Sequence, residues 1–110
     1  MYLDQLLERS MGKFEGKRRD EVAEEFPEYF INDKFIYNLT PPQGESYKEI
    51  FMRADAFVEN FILKEIESKN VLICSHNQFL KMIYFSLLDV PIGENWYEKN
   101  FQNGKVYRIW

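Results

Sequence analysis

The sequence predicts a small α/β domain in which a narrow, mostly parallel sheet is flanked by helices. Three observations predict it. A capped amphipathic helix occupies residues 46–68, a short and continuously apolar run follows at Val71-Leu72-Ile73-Cys74, and a second apolar helix spans Phe79 to Leu88. Helix, strand and helix in that order, with a closing apolar segment from Lys105 to Trp110, is the pattern of helices layered on a sheet.

From the start of the chain, residues 3–8 suit a short strand end or a helical turn, and a loop bounded by Gly12 and Gly16 follows. Asp20 is an acceptable N-cap for a helix through Val22, Ala23 and Phe26. Pro27 interrupts that helix, because it lacks a donor and crowds the preceding turn. Residues 28–40 are rich in aromatics and read as irregular, and Pro41-Pro42-Gln43-Gly44 reads as a firm loop.

The long helix is the clearest element. Ser46 and Glu49 have the spacing of a capping box, in which each side chain satisfies a backbone N–H at the helix start. Ile50, Phe51, Ala54, Phe57, Val58, Phe61, Ile62 and Ile66 then hold a 3.6-residue apolar stripe. Val71 to Cys74 suits a strand buried on both faces, as in a parallel sheet. Phe79, Leu80, Ile83, Tyr84, Leu87 and Leu88 give the next helix, stopped before Pro91, and Asn103-Gly104 precedes the final strand. Two or three strands leave edges that attract another chain unless they are covered, so a homo-oligomer or a protein partner is expected.

Composition narrows the function classes. The 110 residues are 45% hydrophobic and 17% aromatic, which fits one packed domain and excludes a disordered chain. A net charge of −4 gives no global electrostatic case for nucleic acid or an anionic membrane. The cluster Lys13, Lys17, Arg18 and Arg19 runs directly into Asp20 and Glu21, the pattern of a solvated face. No apolar run nears the roughly 20 residues that span a bilayer. Met1-Tyr2-Leu3-Asp4-Gln5 lacks the features of a signal peptide. Cys74 is the only cysteine, so no internal disulfide forms, which suits a reducing cytoplasm. One His and one Cys give no metal-ligand spacing, and Gly12 and Gly16 fit no nucleotide-binding pattern, so no metal and no cofactor is expected.

Chemistry then rests on few residues. His76 is the only histidine and ends the apolar run, where open α/β sheets bind ligands. It reads as an acid, base or phosphate-contacting imidazole in a partly buried site, or as a hydrogen-bonded histidine closing a strand. Glu8, in Leu6-Leu7-Glu8-Arg9-Ser10-Met11-Gly12, reads by itself as a surface carboxylate beside an Arg. Cys74 and His76 point to the same side of a strand, so a nucleophilic pair is conceivable, against the commoner reading of Cys74 as buried and inert.

The order of short motifs adds to this. Leu6, Glu8 and Arg9 with Gly12, Glu15 and Gly16 come first, then Pro41, Pro42, Gly44, Glu45, Ser46 and Arg53, then Ser75 and His76 after the apolar run. This order resembles the C-terminal half of a histidine phosphatase, of the phosphoglycerate-mutase superfamily, over nearly all of residues 1–110. The closing Asn103-Gly104-Lys105-Val106 is similar too, and the 68-residue interval from Glu8 to His76 resembles the small phosphatase branch. The resemblance implies part of a three-layer α/β/α fold. It also implies hydrolysis of phosphomonoesters through a phosphohistidine, with arginines steadying the transferred group.

On that resemblance Glu8 is the general acid for the leaving oxygen, held protonated by desolvation or nearby negative charge. His76 is the second catalytic histidine, donating hydrogen bonds to the phosphoryl group, and Glu45 and Ser46 shape the pocket entrance. Asn77 stands where the family has Gly, and its side chain is expected to crowd a backbone N–H facing phosphate. The family's attacking histidine lies in an Arg-His-Gly motif that does not occur in these 110 residues. The chain by itself is therefore expected to be inactive, and to meet a phosphorylated small molecule only when another segment supplies that motif. Two alternatives are a non-catalytic, partner-binding or self-associating module and part of a mutase-type isomerase.

Overall fold

The structure, a computed structural model, describes residues 3–109. The chain divides into two compact units, one made of Arg9–Tyr47 and one of Met1–Glu8 with Lys48–Trp110.

The Arg9–Tyr47 unit is built on aromatic packing. It contains helix α1 (Arg19–Glu25) and strands β1 (Phe30–Ile31) and β2 (Lys34–Phe35). Phe14 is buried, with its ring 5.1 Å from Phe26, 4.9 Å from Tyr29 and 6.0 Å from Phe35. The Tyr29 and Phe35 rings meet it nearly edge-on, the arrangement that aromatic quadrupoles favour. Arg18, not Asp20, stands at the N-cap of α1, and its backbone N–H donates to the Glu21 carboxylate at 3.2 Å. Asp20 falls inside the first turn with Glu21, where negative charge complements the helix dipole. The helix stops before Pro27, as its missing donor requires.

Residues 28–40 are more ordered than their composition suggests. β1 and β2 pair antiparallel, Phe30 with Phe35 and Ile31 with Lys34. Asn32 and Asp33 between them have φ of 50° and 62°, the left-handed pair of a type I′ hairpin. The Pro41–Gly44 loop is a turn closed by the Gly44 N–H donating to the Pro41 carbonyl at 2.8 Å, with Gln43 at φ 59°. Gly12 lies against this turn at φ +54°, and a Cβ there would fall 2.2 Å from the Pro42 carbonyl oxygen.

The second unit carries the expected helices. Helix α2 (Tyr47–Phe57) continues through a π-helical turn (Val58–Ile62) into α3 (Leu63–Glu65). It begins directly after Ser46 and buries Ile50, Ala54, Phe57, Val58 and Ile62 from the foreseen stripe. Helix α4 (Asn77–Leu87) contributes Phe79, Met82, Ile83 and Phe85 to the same core, with Trp96 and Phe101 from the segment beyond it. Each fully buried side chain of this size stabilises by about 1.5–3 kcal/mol. An exposed pair such as Lys69 with Glu65 adds only a few tenths, so the apolar stripe decides where the helices sit. α4 ends in a Schellman motif: Val90 N–H donates to the Phe85 carbonyl at 3.1 Å and Asp89 N–H to Ser86 at 3.2 Å. Asp89 takes the left-handed position at φ 51°.

The expected parallel sheet is not formed among the described residues, whose only sheet is the two-stranded antiparallel β1–β2. Val71 to Cys74 and residues 105–109 form no strand. Exposure alternates along the first of these, with Leu72, Cys74 and His76 outward and Val71, Ile73 and Ser75 half-buried. That is the period of a strand, without a ladder on either side. A parallel strand needs neighbours about 4.8 Å away to take up its N–H and C=O groups.

Candidate active site around Glu8 and His76

The segment leading to Glu8 is held by side chains in place of a ladder. After a single 3-10 turn, Asp4–Leu6, its carbonyls face α2 and the residues before α4. Arg53 of α2 donates from Nη1 to the Gln5 carbonyl at 2.6 Å and to the Leu7 carbonyl at 2.9 Å. Ser75 Oγ donates to the Leu6 carbonyl at 2.6 Å. The Arg53 guanidinium also lies 4.6 Å from the centre of the Phe79 ring.

The half-buried Glu8 side chain then reaches the first turn of α4. Its Oε2 accepts the Gln78 N–H at 3.1 Å and its Oε1 accepts the Phe79 N–H at 3.0 Å. Those two amides have no acceptor within the helix, and the N-cap residue, His76, gives no side-chain cap. Glu8 therefore supplies the cap from a distant part of the sequence. The charge of a carboxylate is favoured there by the helix dipole.

Lys81 carries the nearest opposing charge from within α4. It is 3% exposed, donates from Nζ to the Tyr97 carbonyl at 2.8 Å, and sits 5.6 Å from the Trp96 ring centre. Burial lowers its pKa below the usual value, and the Glu8 carboxylate opposes that by favouring the ammonium.

His76 has extended backbone, φ −108° and ψ 159°, immediately before α4, and its side chain is exposed and not partly buried as expected. Its carbonyl accepts the Leu80 N–H at 2.8 Å, which fixes the backbone on which the imidazole is displayed. Asn77 does not crowd the first turn. Its Oδ1 accepts the Phe101 N–H at 3.0 Å and its Nδ2 donates to Asn100 Oδ1 at 3.3 Å, turning the amide toward the 100–101 segment. Cys74 is exposed and forms no disulfide, contrary to the expectation of a buried thiol, because no strand covers the 71–74 run among the described residues.

Glu8, His76 and Asn77 are thus gathered at the start of one helix. Glu45 precedes α2 in the other unit, and Ser46 follows it. There Arg9, 2% exposed, organises the loop. Its Nε donates to the Glu45 carbonyl at 2.8 Å, Nη1 to Tyr37 at 3.0 Å and Nη2 to Leu39 at 3.1 Å. Ser10 N–H donates to Glu45 Oε1 at 3.3 Å and Glu45 N–H returns to the Ser10 carbonyl at 2.8 Å. Ser46 is half-buried at the position directly before α2.

Sequence reasoning gave Arg9 and Arg53 no task and passed over Lys81. Two signals were present: Arg53 lies beside an apolar stripe, between Ile50 and Ala54, and Lys81 lies among Phe79, Leu80, Met82 and Ile83. Among the described residues no three His, Cys, Asp or Glu side chains converge as metal ligands, and no helix is long and apolar enough to cross a membrane.

The family model for the histidine phosphatase superfamily (branch 1) matches residues 2–109, and the chain belongs to that superfamily. It is 30% identical over 87 residues to a 2,3-bisphosphoglycerate-dependent phosphoglycerate mutase of Methanosarcina mazei, covering 77% of this chain and 36% of the mutase. It is 30% identical over 112 aligned positions to the enzyme of the same name in Chlamydia muridarum, covering 87% of this chain and 50% of that one. Against a fructose-2,6-bisphosphatase of Saccharomyces cerevisiae it is 33% identical over 91 residues, 80% of this chain and 19% of the relative. The chain thus spans at most half the length of these relatives. No solved structure gave a significant match.

Proposed function

We propose that residues 1–110 are the C-terminal portion of a histidine phosphatase domain that hydrolyses a phosphomonoester, with Glu8 and His76 as its contribution to catalysis. The observation that carries this reading is the pair of hydrogen bonds from Gln78 and Phe79 to the Glu8 carboxylate. They bring the carboxyl group to amides two and three residues after His76. A proton donor held at the helix start that follows His76 suits a reaction whose leaving oxygen must be protonated.

His76 donates hydrogen bonds from its ring nitrogens to the phosphoryl oxygens. Glu8 delivers a proton to the leaving oxygen, and the carboxylate that results accepts the Gln78 and Phe79 N–H bonds more strongly than the acid does. Glu45, Ser46 and Asn77 are assigned to substrate binding in this reading from their motif positions. A phosphorylated small molecule is the substrate class. The attacking imidazole and the arginines that clamp the phosphoryl group come from a segment bearing Arg-His-Gly, on this polypeptide or another, since His76 is the only histidine here. The names of the relatives leave mutase-type isomerisation as a variant of the same chemistry.

The test is hydrolysis of p-nitrophenyl phosphate by the purified 110 residues, alone and with an Arg-His-Gly segment added. No turnover is expected alone, turnover is expected on addition, and His76→Ala abolishes it. Robust turnover by the 110 residues alone contradicts the assignment of the attacker.

A second reading, a non-catalytic partner-binding module, is favoured by one observation. Leu72 is 82% exposed and Val106 80% exposed, both on segments that belong to no sheet among the described residues. Light scattering at low concentration separates the readings. A compact monomer argues against an obligatory partner or self-association.

A further inference from the structure

We propose that Arg53 is the positioning residue of the Glu8 carboxylate; this deepens the reading of Glu8 as the proton donor. The segment from Gln5 to Glu8 has no ladder to fix it, so the direction in which Glu8 leaves the backbone is set by whatever holds its carbonyls. Arg53 holds two of them at good length, Gln5 at 2.6 Å and Leu7 at 2.9 Å. It approaches the third, that of Glu8 itself, at 3.5 Å, at the outer limit of a hydrogen bond. The same guanidinium lies 4.6 Å from the Phe79 ring centre, and Phe79 is one of the two residues whose amide meets the carboxylate.

One planar cation thus touches both partners of the junction, the backbone that carries Glu8 and the first turn of α4 that receives it. A guanidinium suits this task because its donors diverge in a plane while its face stacks on an aromatic ring. A lysine at this place offers one ammonium and no stacking plane. Ser75 fixes only the Leu6 carbonyl and touches neither Glu8 nor Phe79 among the bonds described.

Backbone amide exchange tests this without any need for turnover, so its failure leaves the phosphohydrolase reading standing and the reverse also holds. Gln78 and Phe79 are first-turn amides, whose protection in the folded protein comes from the Glu8 carboxylate and not from the helix ladder. In Arg53→Met both amides are expected to exchange about tenfold faster, as in Glu8→Ala, while those of Met82 and Ile83 in the helix interior keep their protection. Arg53→Lys recovers only part of the loss, and it carries the same test if Arg53→Met does not fold. Unchanged protection of Gln78 and Phe79 overturns the proposal. Uniform loss along all of α4 overturns it as well, because Arg53 is then a strut of the whole unit.

Discussion

Glu8 and Phe79 stand 71 positions apart in the sequence and are joined by a 3.0 Å bond from the Phe79 N–H to the Glu8 carboxylate. The bond makes a distant carboxylate the N-terminal cap of α4, the helix that begins directly after His76. Removing it has a direct cost. Glu8→Ala is expected to destabilise the fold by about 1–2 kcal/mol, the usual worth of a side-chain cap. Glu8→Gln keeps an acceptor and loses less. Urea denaturation of the two variants checks this, and equal stability of Glu8→Ala and the parent protein argues against the cap.

Arg9 should be the most sensitive polar residue of the Arg9–Tyr47 unit. Its three donors satisfy three carbonyls in a site nearly closed to water. Orphaned buried groups cost about 1–3 kcal/mol each. Arg9→Met is therefore expected to expose residues 9–47 to limited proteolysis, and Arg9→Lys to fail as a rescue, since one ammonium cannot reach three divergent acceptors. Rescue by Arg9→Lys contradicts the geometry.

Gly12 and Gly16 offer an internally controlled comparison. Both have positive φ, +54° and +77°, but only at Gly12 does an added Cβ meet backbone, at 2.2 Å from the Pro42 oxygen. Gly16→Ala is expected to cost on the order of 1 kcal/mol from conformation alone. Gly12→Ala costs that and the displacement of the Pro41–Gly44 turn, so its thermal midpoint falls further. Equal midpoints refute the contact.

Lys81 predicts an alkaline dependence of stability. Its folded pKa is lowered by burial, with the Glu8 charge opposing. The unfolded chain therefore binds more protons between the lowered value and 10.5, and stability from this group rises with pH across that window. Below the window the penalty of the buried ammonium is fully present. Relative to Lys81→Met, the parent protein should gain in urea midpoint as pH approaches 10.5, and a difference that stays constant with pH contradicts this.

The helices follow from the sequence and the expected parallel ladder does not form, for different physical reasons. The stripe from Ile50 to Ile62 and the apolar run of α4 are local patterns whose burial needs only each other, and both helices form where the periodicity places them. The Val71–Cys74 run has strand composition, but a ladder depends on neighbours that no local pattern supplies. The β1–β2 hairpin was hidden because Asn32-Asp33 is a weaker turn signal than Asn-Gly. Motif order singles out Glu8 and His76 as candidates, whereas the exposure of His76 and Cys74 follows from the missing ladder. The tasks of Arg9, Arg53 and Lys81 are tertiary: each is a charge whose partners are backbone carbonyls distant in sequence.

Proton delivery by Glu8 to the leaving oxygen is the step on which the proposed function rests. The most direct measurement compares Glu8→Gln with the parent protein, each completed by an Arg-His-Gly segment, on p-nitrophenyl phosphate and on an alkyl phosphate. The nitrophenolate leaves without protonation and the alkoxide does not, so the account predicts a loss of about 10²–10⁴-fold on the alkyl ester and a much smaller one on the nitrophenyl ester. Equal losses on both substrates would contradict it and leave Glu8 as a structural cap alone.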